Sequence, residues 1–294
     1  GGLRIGKRLP ERPPGAPPDE RQEWDRDGQY FHYATKWMHA LDQSARAVRR
    51  PVFSVWAREL ALAVHRGFTY VPPRGGRRRM HWKMSIDLSR PLVASMGQHD
   101  PLDGFLTCVE LQATAAALGA PGPSVTAIAA DFAAMIDPAA LATADPLGIG
   151  GLLADAYRAV QLQGQDLLAG HEGLSGMLLD AALAGLRAWV AHGDLRLPAR
   201  DRLAFRELGV VIGLAAVPLL ARNGRPDAGL HAALEPRLAA LARFGPLGAE
   251  LRQFWLRAEH RLTDAWRAHQ DINDVMLATS LVPEGFLVLG LPGV

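Results

Sequence analysis

The chain has 294 residues, of which 49% are hydrophobic and 21% charged, so it is a folding chain long enough to bury a large core, not a disordered one. With 32 Lys and Arg against 30 Asp and Glu, its net charge of +2 is too small a field to gather nucleic acid or a membrane surface. One cysteine, Cys108, excludes an intrachain disulfide and a multi-cysteine zinc site, and points to a reducing compartment, with the cytoplasm as the expected location.

The start GGLRIGKRLP has neither an initiator Met nor an apolar signal core and reads as an internal or trimmed beginning. No later run is expected to be long enough to span a bilayer. Residues 8–18, RLPERPPGAPP, resist helix formation because proline fixes φ and removes donors. Residues 1–24 are therefore expected as an extended arm packed on the body, and 25–294 as a single domain. From Gln29 the apolar spacing predicts helices over 29–48, 52–67, 102–118, 124–136, 148–163, 174–192, 202–222, 228–243, 247–269 and 272–280. Short breaks such as RRP at 49–51, GAPGP at 119–123, NGRPD at 223–227 and FGP at 244–246 make consecutive helices antiparallel neighbours.

Between the second and third helices, MHWKMSIDL at 80–88 alternates with a period of two. A short β insertion is expected there, with Met80, Trp82, Met84, Ile86 and Leu88 on one face and His81, Lys83, Ser85 and Asp87 on the other. The starts DRDGQYFHY, HDPLDGFLT and ADPLGIGGL each set acid and glycine before an apolar helix, and the DPL triplets at Asp100 and Asp145 stand 45 residues apart. A two-helix repeat of that length predicts an all-α fold, an (α/α) toroid or barrel of about five to six hairpins. Helices starting near 29, 102, 148 and 202 should form its inner ring.

The run WDRDGQYFHYATKWMHALDQ, the insertion MHWKMSIDLSRPL and the starts HDPLDGF and DPLGIGG resemble the six-hairpin glycosidase-like (α/α) barrels, which include glycoside hydrolases and sugar epimerases. The resemblance covers residues 24 to about 280. It implies a carbohydrate-active enzyme working at the barrel mouth, most simply a glycoside hydrolase. A sugar epimerase or isomerase using histidine pairs, or a helical scaffold without catalysis, are the alternatives.

The first helix carries the richest signal. Tyr30, Tyr33, Trp37 and Leu41 form one stripe, and Gln29, His32, Lys36, His39 and Gln43 a second whose amides, imidazoles and ammonium suit hydroxyl recognition. Aromatic faces beside such groups suit the apolar face of a pyranose; equally, each ring fits a core position. Glycosidic cleavage needs a proton donor and a second carboxylate. Asp100, Asp103, Asp87 and Asp27 are the expected pair members, although Asp103 and Asp27 also fit helix capping. Tyr30, His32, Tyr33, Lys36, Trp37, His81, Trp82, Lys83, Gln98 and His99 are the expected substrate contacts, with His81, Lys83, Ser85 and Asp87 pointing into one cleft with His32 and Lys36. The partner is then a small-molecule or oligosaccharide substrate. His32 and His39, seven apart, lack a carboxylate at ligand spacing, so neither metal nor cofactor is expected. No GxSxG, P-loop or dinucleotide fingerprint supports other chemistries. Glu207, inside an apolar helix, calls for pairing by Arg206 or a neighbouring helix, or for a place facing a cavity.

Overall fold

A computed structural model describes residues 4–192, 194–223 and 228–290. The chain is mostly helical with little strand, an all-α fold. It divides into two compact units, one of the residues up to Ile136 together with Gly290, and one spanning Asp137–Leu289.

In the first unit the chain runs α1 (Glu20–Glu23), β1 (Gln29–Tyr30), α2 (Phe31–Val48), α3 (Pro51–Phe68), β2 (Thr69–Tyr70), β3 (Arg79–Met80), β4 (Lys83–Met84), β5 (Pro91–Val93), α4 (Asp100–Ala117) and α5 (Thr126–Met135). Arg49, left-handed at φ 51°, ends α2, and Pro51 opens α3 at a position where a missing N–H costs nothing. Thirteen of the 18 residues of α4 are buried, against four of the 10 in α5. The first hairpin shows no such contrast, with seven of 18 buried in α2 and six of 18 in α3.

The arm before α1 lies along this unit. Ile5 N–H donates to Gly28, Leu9 N–H to Asp25 and Asp27 N–H to Leu9, while Glu11 accepts from Ile86 N–H at 2.7 Å and Arg12 pairs with Glu23 at 2.6 Å. Helix α2 begins at Phe31 because Gln29 and Tyr30 pair with β4.

The strict alternation expected over 80–88 does not survive. The β insertion is a set of two-residue and three-residue strands, β1-β4-β5 and β2-β3, and Lys83 and Met84, where the β4–β5 register shifts, are both buried. A Cβ on Gly28 would come within 2.9 Å of Lys83 Cε and of the Met84 carbonyl, so only glycine lets the chain pass there.

The second unit contains α6 (Pro146–Gln163), α7 (Leu174–His192), α8 (Ala204–Asn223), α9 (Ala228–Ala242), α10 (Gly245–Leu256), α11 (Ala258–Arg261), α12 (Asp264–Arg267), α13 (Gln270–Leu281) and α14 (Glu284–Leu287). Twelve of the 18 residues of α6 are buried, against eight of 19 in α7. Helices α6 and α8 touch backbone to backbone: a Cβ on Gly150 would lie 2.1 Å from the Gly209 carbonyl oxygen, and one on Gly213 would lie 2.6 Å from Gly150 Cα.

The single helix expected over 247–269 is broken into three. Arg257 turns extended at ψ 129°, and the Thr263 hydroxyl caps α12 by accepting from Trp266 N–H. The expectation of no membrane-length apolar run also needs correction. Leu174–His192 and Ala204–Arg222 are long and apolar enough to cross a membrane, and 50% and 72% of those windows are buried inside the protein.

Candidate functional site at the start of α4

Helices α2 and α4 meet along a polar seam. On α4 the buried polar residues Asp100, Asp103, Thr107, Glu110 and Thr114 recur at three-and-four spacing, which places them on one face. Facing them from α2 are Thr35, Lys36, His39, Asp42 and Arg46. The contacts run in order along both helices. Asp103 accepts from Thr35 Oγ1 at 2.5 Å, Lys36 Nζ at 3.0 Å and Thr107 Oγ1 at 3.4 Å, and further along the seam His39 Nδ1 stands 3.1 Å from Glu110.

The N-terminal end of the seam opens toward solvent, since the Lys36 side chain is 48% exposed. Asp100, only 7% exposed, has a buried Oδ2 with no hydrogen-bond partner. Burial, and then the neighbouring charge of Asp103, push its carboxyl up to about 7, with Lys36 pulling the other way. Gly97 leaves room for that carboxyl, as a Cβ there would sit 2.1 Å from Asp100 Oδ2. His32 goes in the opposite direction: burial, helped by Lys36, brings its imidazole down to about 4 against the opposing pull of Asp103. Near neutral pH a carboxyl close to its titration midpoint and a neutral imidazole thus lie beside the Lys36–Asp103 pair.

An aromatic file leads away from His32. Its ring stacks on Tyr30 at 5.4 Å and lies 4.7 Å from Tyr33; Tyr30 contacts Trp82 at 5.4 Å, and Trp82 meets Trp24 edge-on at 4.9 Å. Burial raises the Tyr30 hydroxyl to about 12, so it stays a hydrogen-bond donor. Trp24 is 52% exposed and Tyr33 40%. These two rings offer the file to solvent. Trp37 is half-exposed on the outer side of α2 and has no ring contact among the described residues.

Several expected residues serve elsewhere. Lys83 is fully buried beneath Tyr30 and donates to the carbonyls of Glu23 and Arg26, with the Glu23 carboxylate at 3.5 Å, so it pins α1 to the sheet. His81 stacks flat on Tyr70 at 4.2 Å, and burial lowers its pKa. Asp87 is exposed and closes its own turn through Ser85 and Ser89, whose hydroxyls hold its carboxyl down at about 2. Asp27 is buried and ties the arm, accepting from Gly6 and Gly28 N–H and pairing with Arg4 at 3.4 Å. None of His81, Lys83, Ser85 or Asp87 contacts His32 or Lys36 among the described residues; the insertion reaches the site through Trp82, from the face assigned to packing. Each of the four is held by its own partners, Lys83 by the Glu23 and Arg26 carbonyls, His81 by the Tyr70 ring, and Ser85 and Asp87 by each other. Gln98 is exposed, and His99 sits at the N-cap position of α4 without a side-chain capping bond.

The two DPL triplets also differ. Asp145 accepts from Leu147 N–H as a cap and pairs with Arg206 at 3.3 Å, whereas Asp100 turns inward. Glu207 is held by Arg202, not Arg206, through bonds of 2.7 and 2.5 Å, with Trp255 Nε1 adding a third at 2.7 Å. The sequence reading missed Thr35, Asp42, Arg46, Thr107, Glu110 and Thr114; the polar spacing of α4 was the signal for three of them. No group of three or more His, Cys, Asp or Glu that could hold a metal occurs among the described residues. Compared with known proteins, the chain matches no family model, no curated protein and no solved structure.

Proposed function

We propose that the chain is a carbohydrate-active enzyme of the glycoside hydrolase kind, in which Asp100 is the proton donor and Asp103 the second carboxylate. The single observation that carries this reading is the inward Asp100 carboxyl, whose buried Oδ2 has no hydrogen-bond partner, beside an Asp103 already bound by Lys36 and Thr35. Two carboxyl groups on one helical turn with unequal surroundings are driven apart in acidity, which separates an acid from a base. Asp100 keeps its proton to about neutral pH, ready for a leaving glycosidic oxygen. Asp103, charge-paired to Lys36, supports positive charge developing at the sugar carbon or activates water. Tyr33 and Trp24 supply exposed faces for pyranose stacking.

The same proposal takes the all-α fold to be an (α/α) toroid of the six-hairpin glycosidase-like kind. The greater burial of α4 over α5 and of α6 over α7 supports inner and outer helices. A second reading, sugar epimerisation, is favoured by His32, whose neutral imidazole lies among the same groups as a proton-bearing Asp100.

A panel of oligosaccharides and free sugars, assayed for reducing-end release and for epimer formation, tests both. Reducing-end release lost in Asp100→Asn and Asp103→Asn, with both variants folded, supports hydrolysis. Epimer formation lost in His32→Ala supports the second reading. Undiminished turnover in all three variants removes this site.

A further inference from the structure

We propose that Asp42 of α2 and Glu110 of α4 hold one proton between them, in a buried ionic box that registers the two helices carrying the candidate site. Both carboxyl groups are 0% exposed. The Arg46 guanidinium reaches both, through Nη1 to Asp42 Oδ2 and through Nη2 to Glu110 Oε1 at 3.2 Å. Thr114 Oγ1 donates to Asp42 Oδ2 at 3.0 Å, and His39 Nδ1 stands 3.1 Å from Glu110. From α3, Arg58 is drawn toward the charge of Asp42 and of its own neighbour Glu59, but its guanidinium is bound to the carbonyls of Ser54, Ala120, Pro121 and Pro123.

The remaining oxygen, Asp42 Oδ1, is buried with no hydrogen-bond partner. An ionised carboxylate oxygen left that way is costly, and two ionised carboxylates brought together on one guanidinium out of reach of water repel each other. One proton resolves both problems, because it gives the Asp42–Glu110 pair a donor and removes one of the two charges. Burial, and then the Glu110 charge, push the Asp42 carboxyl up to about 8, against the pull of Arg46 and Thr114. The inference stands whatever chemistry occurs at the end of the seam.

The test is carbon-detected NMR of the Asp and Glu side-chain carboxyls in the full chain, titrated between about pH 4 and pH 10. Two carboxyls should titrate well above the ordinary range. One, belonging to Asp100, disappears in Asp100→Asn. The other persists in that variant and is lost in Asp42→Asn. Should Asp42→Asn fail to fold, Glu110→Gln provides the assignment, since removal of that charge should lower the persisting midpoint by about one pH unit or more. A persisting midpoint that Glu110→Gln leaves in place overturns the proposal. So does the absence, in Asp100→Asn, of any carboxyl titrating above about pH 6.

Discussion

Asp100→Asn should make the protein more stable at neutral pH, even though it removes the proposed proton donor. Burial raises the Asp100 carboxyl from an ordinary 3.8 to about 7. A group whose folded pKa is raised contributes stability that is fully present below its unfolded pKa and is lost as pH climbs to its folded pKa. For Asp100 that window runs from about pH 4 to about pH 7. At about 1.4 kcal/mol per pH unit, the loss at pH 7 has a ceiling of about 4 kcal/mol. Asparagine has the same shape, carries no charge and presents an amide toward Asp103, so about 1–3 kcal/mol of that loss should be recovered. Denaturant unfolding of wild type and Asp100→Asn at pH 4, 5.5 and 7 measures it. The variant's advantage should grow with pH and vanish near pH 4. A variant less stable than wild type by the same amount at all three values would refute the argument that Asp100 is buried without compensation.

Gly150→Ala tests the backbone contact between α6 and α8: its Cβ meets the Gly209 carbonyl and not a flexible side chain. A loss of about 1–3 kcal/mol, or more, is expected as a lowered melting temperature. Lys83→Met leaves the Glu23 carboxylate and two carbonyls in the interior without that ammonium, although Arg12 still pairs with Glu23. It should cost about 3 kcal/mol and speed proteolysis of the arm. Trp24→Ala removes a half-exposed ring, so stability should change by less than about 1 kcal/mol, while oligosaccharide binding measured by calorimetry weakens about tenfold through lost stacking.

Local periodicity made much of this legible. The polar stripe of His32, Lys36, His39 and Gln43 follows from helical spacing alone, and the seam on α4 has the same spacing. What periodicity cannot carry is the fate of one triplet in two settings. Asp145 caps a helix, while Asp100, in the same DPL sequence, turns inward because Gly97 makes room for it. Nor does alternation survive in the insertion: Lys83 and Met84, expected on opposite faces, are both buried where the β4–β5 register shifts, and both Trp82 and Lys83 meet Tyr30. A long-range pairing such as Glu207 with Trp255 depends on tertiary proximity across 48 residues and has no local signature, and even Arg202, five residues from Glu207, is off the three-and-four helical spacing.

The central claim is that Asp100 donates a proton from a carboxyl that keeps it to about neutral pH. The direct measurement is the pH profile of kcat/KM on a glycoside that the panel shows to be cleaved. The account predicts an alkaline limb near pH 7, following the raised carboxyl of Asp100, and loss of turnover in Asp100→Asn. A rate that stays level to about pH 9, or one unchanged in Asp100→Asn, would contradict it.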